Sequence, residues 1–174
     1  MTHRYSLVKW SEGVSMSRFR IPFRMHASGW VVVAFCNVIG IRLCGLWLGL
    51  ALGALIVASL LLHEVGHIMV AAVLGVPVRE FGLCLGGAYN RRGKGRRRDE
   101  LLIASAGPLV NLCLVASMFL PLFGPQLAFC NMVLCVVNLL PLPASDGLRV
   151  LRALFVSSPA AGMIPVLSEP SSVR

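Results

Sequence analysis

The chain has 174 residues, of which 57% are hydrophobic and only 13% charged, with a mean hydropathy of +0.81. That length is enough for one domain, and that composition excludes a soluble globule in favour of a membrane protein. The formal charge of +9, from 16 Lys and Arg against 7 acids, suits either nucleic acid or an anionic lipid surface by amount, and its placement along the chain favours lipid.

Residues 1–18 read as a basic leader carrying Arg4, Lys9 and Arg18. A cleavable secretory signal is not expected, because the first apolar run begins only near Ala27 after this basic segment. Apolar and polar residues alternate from Phe19 to His26, which suggests a short strand at the membrane surface. Met25 to Ile41 then runs 17 residues without a charge, the lower limit for a spanning helix, with Trp30 at interface depth. This is the first expected span, 25–41. The second, 47–74, starts at Trp47 and is ended by Gly75-Val76-Pro77.

Val78 to Tyr89 is too short and too rich in glycine for another span, and Gly86-Gly87 suits a tight hairpin. The run Arg91-Arg92-Gly93-Lys94-Gly95-Arg96-Arg97-Arg98 would be an RNA-binding patch in a soluble protein. Between apolar spans it reads as a solvated loop, 91–98, with membrane lipids as its partners and no nucleic acid. Leu101 to Ser145 is 45 residues without Asp, Glu, Lys or Arg, divided by Pro121, Gly124 and Pro125 into a third span at 101–120 and a fourth at 127–140. Pro141 and Pro143 break the last helix before Asp146, and the tail from Leu148 carries Arg149 and Arg152 and then a Ser/Pro-rich end without an evident fold. The expected architecture is an all-α polytopic membrane protein of about four transmembrane helices, with a small membrane-associated β-hairpin between the second and third. Its core domain is expected at 19–155, and a short tail at 156–174.

With four spans, 15 of the 16 basic side chains fall on one face of the membrane and Arg42 alone on the other. The positive-inside rule then puts both termini and the long loop in the cytoplasm, as for a multi-pass protein of a prokaryotic plasma (inner) membrane. Six scattered cysteines without a C-x-x-C pair read as small apolar residues.

The second span contains His63-Glu64-Val65-Gly66-His67, an H-E-x-x-H. On a helix the two histidines share one face and can hold one zinc ion, and Glu64 beside them can take a proton from water there. The bland alternative is a core helix with two satisfied histidines and a stray Glu. It weakens inside lipid, where ionisable side chains are expensive and usually functional. A catalytic zinc needs three protein ligands and one open position. Outside the motif only Asp146 directly follows an apolar span at the same end of the membrane, so it is the candidate third ligand. Its alternative role is the N-cap of a short helix beginning at Gly147.

Together, His63-Glu64-Val65-Gly66-His67 and Asn138-x-x-Pro141-x-x-x-x-Asp146-Gly147 resemble the two signatures of the site-two protease family, the intramembrane zinc metalloproteases. Ala106-Gly107-Pro108-Leu109-Val110-Asn111 is similar to the family's A-G-P-x-x-N, and Leu85-Gly86-Gly87-Ala88 to its G-G-x hairpin. The resemblance runs from about Phe19 to Phe155 and is to a minimal form without PDZ or CBS domain. It implies zinc, one ion per chain, on His63, His67 and Asp146, with Glu64 as catalytic base. It also implies substrate positioning by Asn138 and by the Gly86-Gly87 strand, whose edge would pair with an unwound substrate segment. Ala144-Ser145 stands where the family often has Leu or Pro-Leu, and Leu148 where a second Gly is common; both departures bear on substrate fit. The implied activity is hydrolysis of peptide bonds within or near transmembrane segments of membrane-anchored protein substrates, releasing a cytoplasmic fragment. Two other readings are a catalytically silent relative acting as a membrane scaffold, against which Glu64 argues, and an ion carrier, whose ligands would be spread over several depths.

Overall fold

The computed structural model describes residues 21–155, so the leader expected at 1–18 and the tail expected at 156–174 lie outside the described residues. In chain order the elements are β1 (Phe23–Met25), α1 (Gly29–Cys44), α2 (Leu46–Val73), β2 (Val78–Cys84), β3 (Gly87–Arg92), α3 (Arg97–Leu114), a 3-10 extension of α3 (Val115–Phe119), α4 (Gly124–Leu139) and α5 (Asp146–Phe155). The four expected helices are present, but they are unequal. α2 with 28 residues and α3 with its extension, 23 residues, are long and apolar enough to cross a membrane, whereas α1 and α4 have 16 residues each.

α2 is the central helix, with α1 on one side and α3 on the other. Its contact with α1 is made by small residues: Gly40 of α1 lies against Gly49 and Gly53 of α2, and a side chain at Gly40 would come within 2.8 Å of the Gly53 amide nitrogen. Such close backbone approach is how helices gain dispersion contact where lipid removes the hydrophobic drive between them. Below this contact Cys36, Leu52, Ile56 and Leu127 form a buried cluster that ties α1, α2 and α4 together. Large apolar side chains face outward, with Trp47 81%, Val73 84% and Phe119 84% exposed, an arrangement that suits lipid as solvent. All six cysteines are free; Cys36 and Cys135 are buried as expected of small apolar residues, while Cys113 faces outward.

The expected hairpin is part of a larger sheet. β2 pairs antiparallel with β3, and β1, from the segment with alternating residues, adds to β2 in parallel, giving the order β1-β2-β3. Phe23 stands opposite Phe81, their ring centroids 5.2 Å apart, and this aromatic contact helps hold the added strand. The turn between β2 and β3 is Leu85-Gly86, followed by Gly87 at φ 103°, a backbone conformation that favours glycine.

Two expectations are corrected around α3. The helix begins at Arg97, four residues before the expected span, and the basic stretch 91–98 is not a loop: Arg91 and Arg92 finish β3, Arg97 and Arg98 open α3, and only 93–96 connect them. The cause is local hydrogen bonding. Asp99 Oδ2 accepts the Arg96 N–H at 2.8 Å, capping the helix, while Glu100 accepts both Arg92 guanidinium nitrogens at 2.7 and 2.8 Å and the Gly95 N–H at 2.7 Å. After the proline break, Asp146 to Phe155 form helix α5. The Arg97 guanidinium donates to the carbonyls of Ala153 and Leu154 and so satisfies the last turn of α5.

Candidate metal centre and active site

Three ligand atoms converge where α2 meets the start of α5. His63 Nε2 and His67 Nε2 are 3.1 Å apart, and Asp146 Oδ2 lies 3.0 Å from the first and 3.1 Å from the second. The residues are nearly closed to solvent, at 5%, 1% and 5% exposure for His63, His67 and Asp146. Three potential donor atoms at such spacing can each turn a lone pair to one point. The Nδ1–H of His67 donates to the Ile103 carbonyl of α3 at 2.5 Å, which leaves its Nε2 as an acceptor. His63 can then offer one proton to one neighbour, and the remaining contacts bring lone pairs against each other unless a cation sits among them. Two imidazoles and one carboxylate are the donor set of a catalytic zinc site, so His63, His67 and Asp146 could hold one such ion. Gly107 of α3 keeps the space: a side chain there would lie 2.6 Å from His63 Nε2 and against His67 Nε2 as well.

The segment between α4 and α5 aims the carboxylate. Pro141 and Pro143 prevent the helix from continuing, and Ala144 takes a left-handed backbone at φ 67°. The Ser145 hydroxyl lies 2.6 Å from the Leu140 carbonyl and 2.8 Å from that of Leu142, and its oxygen accepts the Leu148 N–H at 3.2 Å. Ser145 is therefore the N-cap of α5. The cap role open to Asp146 falls to its neighbour, leaving Asp146 free to turn inward. Arg149 Nη1 stands 3.4 Å from Asp146 Oδ1, so the two carboxylate oxygens face different partners. Burial alone would raise the Asp146 carboxyl, but an imidazole N–H turned to it, as His63 can supply, holds it well below the usual carboxylate range. Gly147 fits because a side chain there would strike the Leu139 and Leu140 carbonyls, the second at 2.8 Å.

Glu64 is 8% exposed and lies against the sheet, where its Oε2 accepts a hydrogen bond from the Asn90 side chain of β3. Sequence reasoning does not find Asn90. Its position six residues beyond Cys84 in a short polar strand carries no motif, and only the folding of the sheet over α2 brings it to Glu64. A cavity of about 270 Å³ adjoins these groups, lined by His63, Glu64, Gly86, Asn90, Asn138 and Asp146 among others. Asn138 thus faces the same space, and its Nδ2 donates to the Leu134 carbonyl of its own helix at 2.9 Å. Gly86 borders the cavity from the turn and Gly87 opens β3, whose outer edge carries no strand among the described residues.

No family model matches the chain. It is 31% identical to the zinc metalloprotease MJ0392 of Methanocaldococcus jannaschii over 149 residues, which are 77% of this chain and 42% of that protein. The protein sll0528 of Synechocystis sp. is 32% identical over 120 residues, 62% of this chain and 32% of its own length. The chain therefore spans 32% to 42% of the length of these curated relatives. Among solved structures, the site-2 protease from Methanocaldococcus jannaschii superposes with a TM-score of 0.63 at 28% identity, over 77% of this chain and 67% of that one. With an H-E-x-x-H helix, a carboxylate brought to it from a later break, and these relatives in sequence and in fold, the chain belongs to the site-two protease family of zinc metalloproteases.

Proposed function

We propose that the chain is an intramembrane zinc metalloendopeptidase that cuts membrane-anchored proteins within or near their transmembrane segments and frees a cytoplasmic fragment. The observation that carries this reading is Glu64, a buried carboxylate beside three convergent donor atoms at a cavity bordered by β3, which is an edge strand among the described residues. In this reading His63, His67 and Asp146 hold one zinc, which when bound polarises the scissile carbonyl and makes water more acidic. Glu64 takes a proton from the attacking water and hands the same proton to the leaving amine, so the base is restored at the end of the cycle. Asn90 keeps Oε2 of Glu64 in place during both transfers. A helical substrate hides its peptide groups in its own hydrogen bonds, so it must unwind before it is cut. The edge of β3 by Gly86 and Gly87 offers backbone partners to the unwound segment, and Asn138 offers an amide on the opposite wall.

The proposed topology has four crossings with both termini on the cytoplasmic face of a prokaryotic inner membrane. The basic side chains of Arg79, Arg91, Lys94 and Arg149, which line one cleft by the sheet, then meet anionic headgroups on that side. The test is incubation of wild type and Glu64→Gln in liposomes with a transmembrane peptide containing helix-breaking residues. Cleavage by wild type alone supports the reading, and equal cleavage by both would sink it.

A further inference from the structure

One turn away from the donor set, Ser59 of α2, Asn111 of α3 and Asn131 of α4 come to one level of the helix bundle. The register of the antiparallel helices sets this level. His67 meets Ile103, Gly107 lies against both histidines, and Cys135 Sγ is 3.4 Å from the Pro108 carbonyl. One more turn along each helix leads to 59, 111 and 131, and Asn131 Nδ2 does donate to Ser59 Oγ, at 3.2 Å. All three are enclosed, with Ser59 4% and both asparagines 0% exposed. Yet Asn131 Oδ1 and both polar atoms of the Asn111 amide have no hydrogen-bond partner among the described residues, and neither has His63 Nδ1. Buried amides are almost always paired, and in an apolar bundle the cost of leaving one unpaired is highest.

We propose that Ser59, Asn111 and Asn131 enclose a site for ordered internal water, and that this water reaches Nδ1 of His63 and fixes that ring. The ligand class follows from the free atoms. Asn111 presents a donor and an acceptor together, so its partner must both accept and donate; a metal cation would meet the amide oxygens and leave Nδ2 unsatisfied. The link to His63 follows from helix geometry, which tilts the imidazole towards the N-terminus of α2, over the turn that carries Ser59. It also completes an asymmetric pair: Nδ1 of His67 is held by the Ile103 carbonyl, whereas Nδ1 of His63 has no protein group among the described residues to hold it. A histidine that binds a metal through one nitrogen needs such a partner on the other to keep its ring oriented. Asn111 is on this account a positioning residue, a role that rests on the proposed metal site, while the water itself does not.

A structure of the full chain at a resolution that shows water is expected to place it within hydrogen-bond reach of the Asn111 amide and His63 Nδ1. An Asn111 amide bonded directly to Asn131, with no water between, would overturn the proposal. Zinc affinity, measured by competition with a chromophoric chelator, tests the link without any need for peptide cleavage. Asn111→Leu fills the site with an apolar group and should weaken zinc binding about 10- to 100-fold, whereas Asn111→Ser keeps a hydroxyl and room for water and should stay within about threefold of wild type. A Leu variant that binds zinc as tightly as wild type breaks the link to His63, and equal weakening in both variants would assign the effect to packing and overturn it too. If the Leu variant does not fold, the Ser variant and the water density decide.

Discussion

Asn90, on an edge strand, donates a hydrogen bond to the carboxylate of Glu64, which lies nearer the C-terminal end of α2. The contact joins the sheet to the candidate base and occupies Oε2, one of its two carboxylate oxygens. A hydrogen bond to a charged group contributes about 1.5–3 kcal/mol, so Asn90→Ala should lower kcat about 10- to 100-fold with zinc content unchanged. Asn90→Asp, which has the same shape but sets a second carboxylate against Glu64, should lower it further. Steady-state kinetics with metal analysis on the same samples checks both, and an Asn90→Ala enzyme of wild-type kcat would remove Asn90 from the mechanism.

Glu64 and Asp146 are expected to separate binding from turnover. Glu64→Gln keeps the three donor atoms and should retain one zinc per chain while kcat falls at least about 100-fold, the usual worth of a general base. Asp146→Ala takes one of the three donors away and should lose zinc and turnover together. Chelation of wild type should abolish cleavage, and added zinc should restore it. Full zinc occupancy in Asp146→Ala would mean that another residue completes the site.

Much of this site is legible in the amino-acid sequence because its chemistry sits in short-range patterns. His63 and His67 are set by the helical repeat alone, and Asp146 by the break that Pro141 and Pro143 impose. The helix ends are less legible. Arg97 and Arg98 belong to α3 because Asp99 and Glu100 cap and brace the first turn, whereas charge counting assigns them to a loop. The start of α5 is legible as a short helix after the proline break, whereas its last turn is met by Arg97, whose partners, the carbonyls of Ala153 and Leu154, are far away in the chain. Asn90 is illegible for the same reason, since strand pairing and the packing of sheet on helix are non-local and leave no spacing in the sequence.

Gly107 should be intolerant of even one added carbon. The methyl of Gly107→Ala would press on His63 Nε2 and His67 Nε2 from the face where their lone pairs converge, and α3 cannot retreat without losing the Ile103 bond to His67. Overpacking of this kind costs about 1–3 kcal/mol. The expected result is a folded protein of lower thermal stability that binds zinc at least about tenfold more weakly. Wild-type zinc affinity in Gly107→Ala would show that the donor atoms do not share the space that Gly107 leaves.

Ala144 carries the strain of the segment that delivers Asp146. A left-handed conformation costs an L-residue about 1–2 kcal/mol and glycine almost nothing, so Ala144→Gly should fold and bind zinc as well as wild type. Ala144→Val adds a branched carbon to the same φ of 67° and should destabilise the chain by about 1–2 kcal/mol and reduce zinc occupancy by misdirecting Asp146. Thermal unfolding with metal analysis checks the pair. A valine variant equal to the glycine variant would show that this turn does not govern the carboxylate.

The last prediction concerns the side of the membrane on which the site opens. Lys94 is exposed between β3 and α3, on the same side of the bundle as the sheet and the start of α5, and Leu122 is 75% exposed in the turn between the 3-10 extension and α4. If both termini are cytoplasmic, single cysteines at Ser11, Lys94 and Ser171, introduced into a background without the six native cysteines, should all be labelled from the cytoplasmic face, and one at Leu122 from the opposite face. Leu122 is the better reporter than Gly124, where a side chain would lie 2.5 Å from the Ser117 carbonyl. The cavity lined by Glu64 and Asn90 adjoins the sheet, so it lies towards the face that Lys94 marks, and water is expected to enter from there. A substrate should then be cut in the cytoplasmic half of its span, more readily when Gly, Pro or Asn weakens its helix near the bond. Labelling of Lys94 from the outer face would reverse the orientation, and product masses that place the cut in the outer half of the substrate would do so independently.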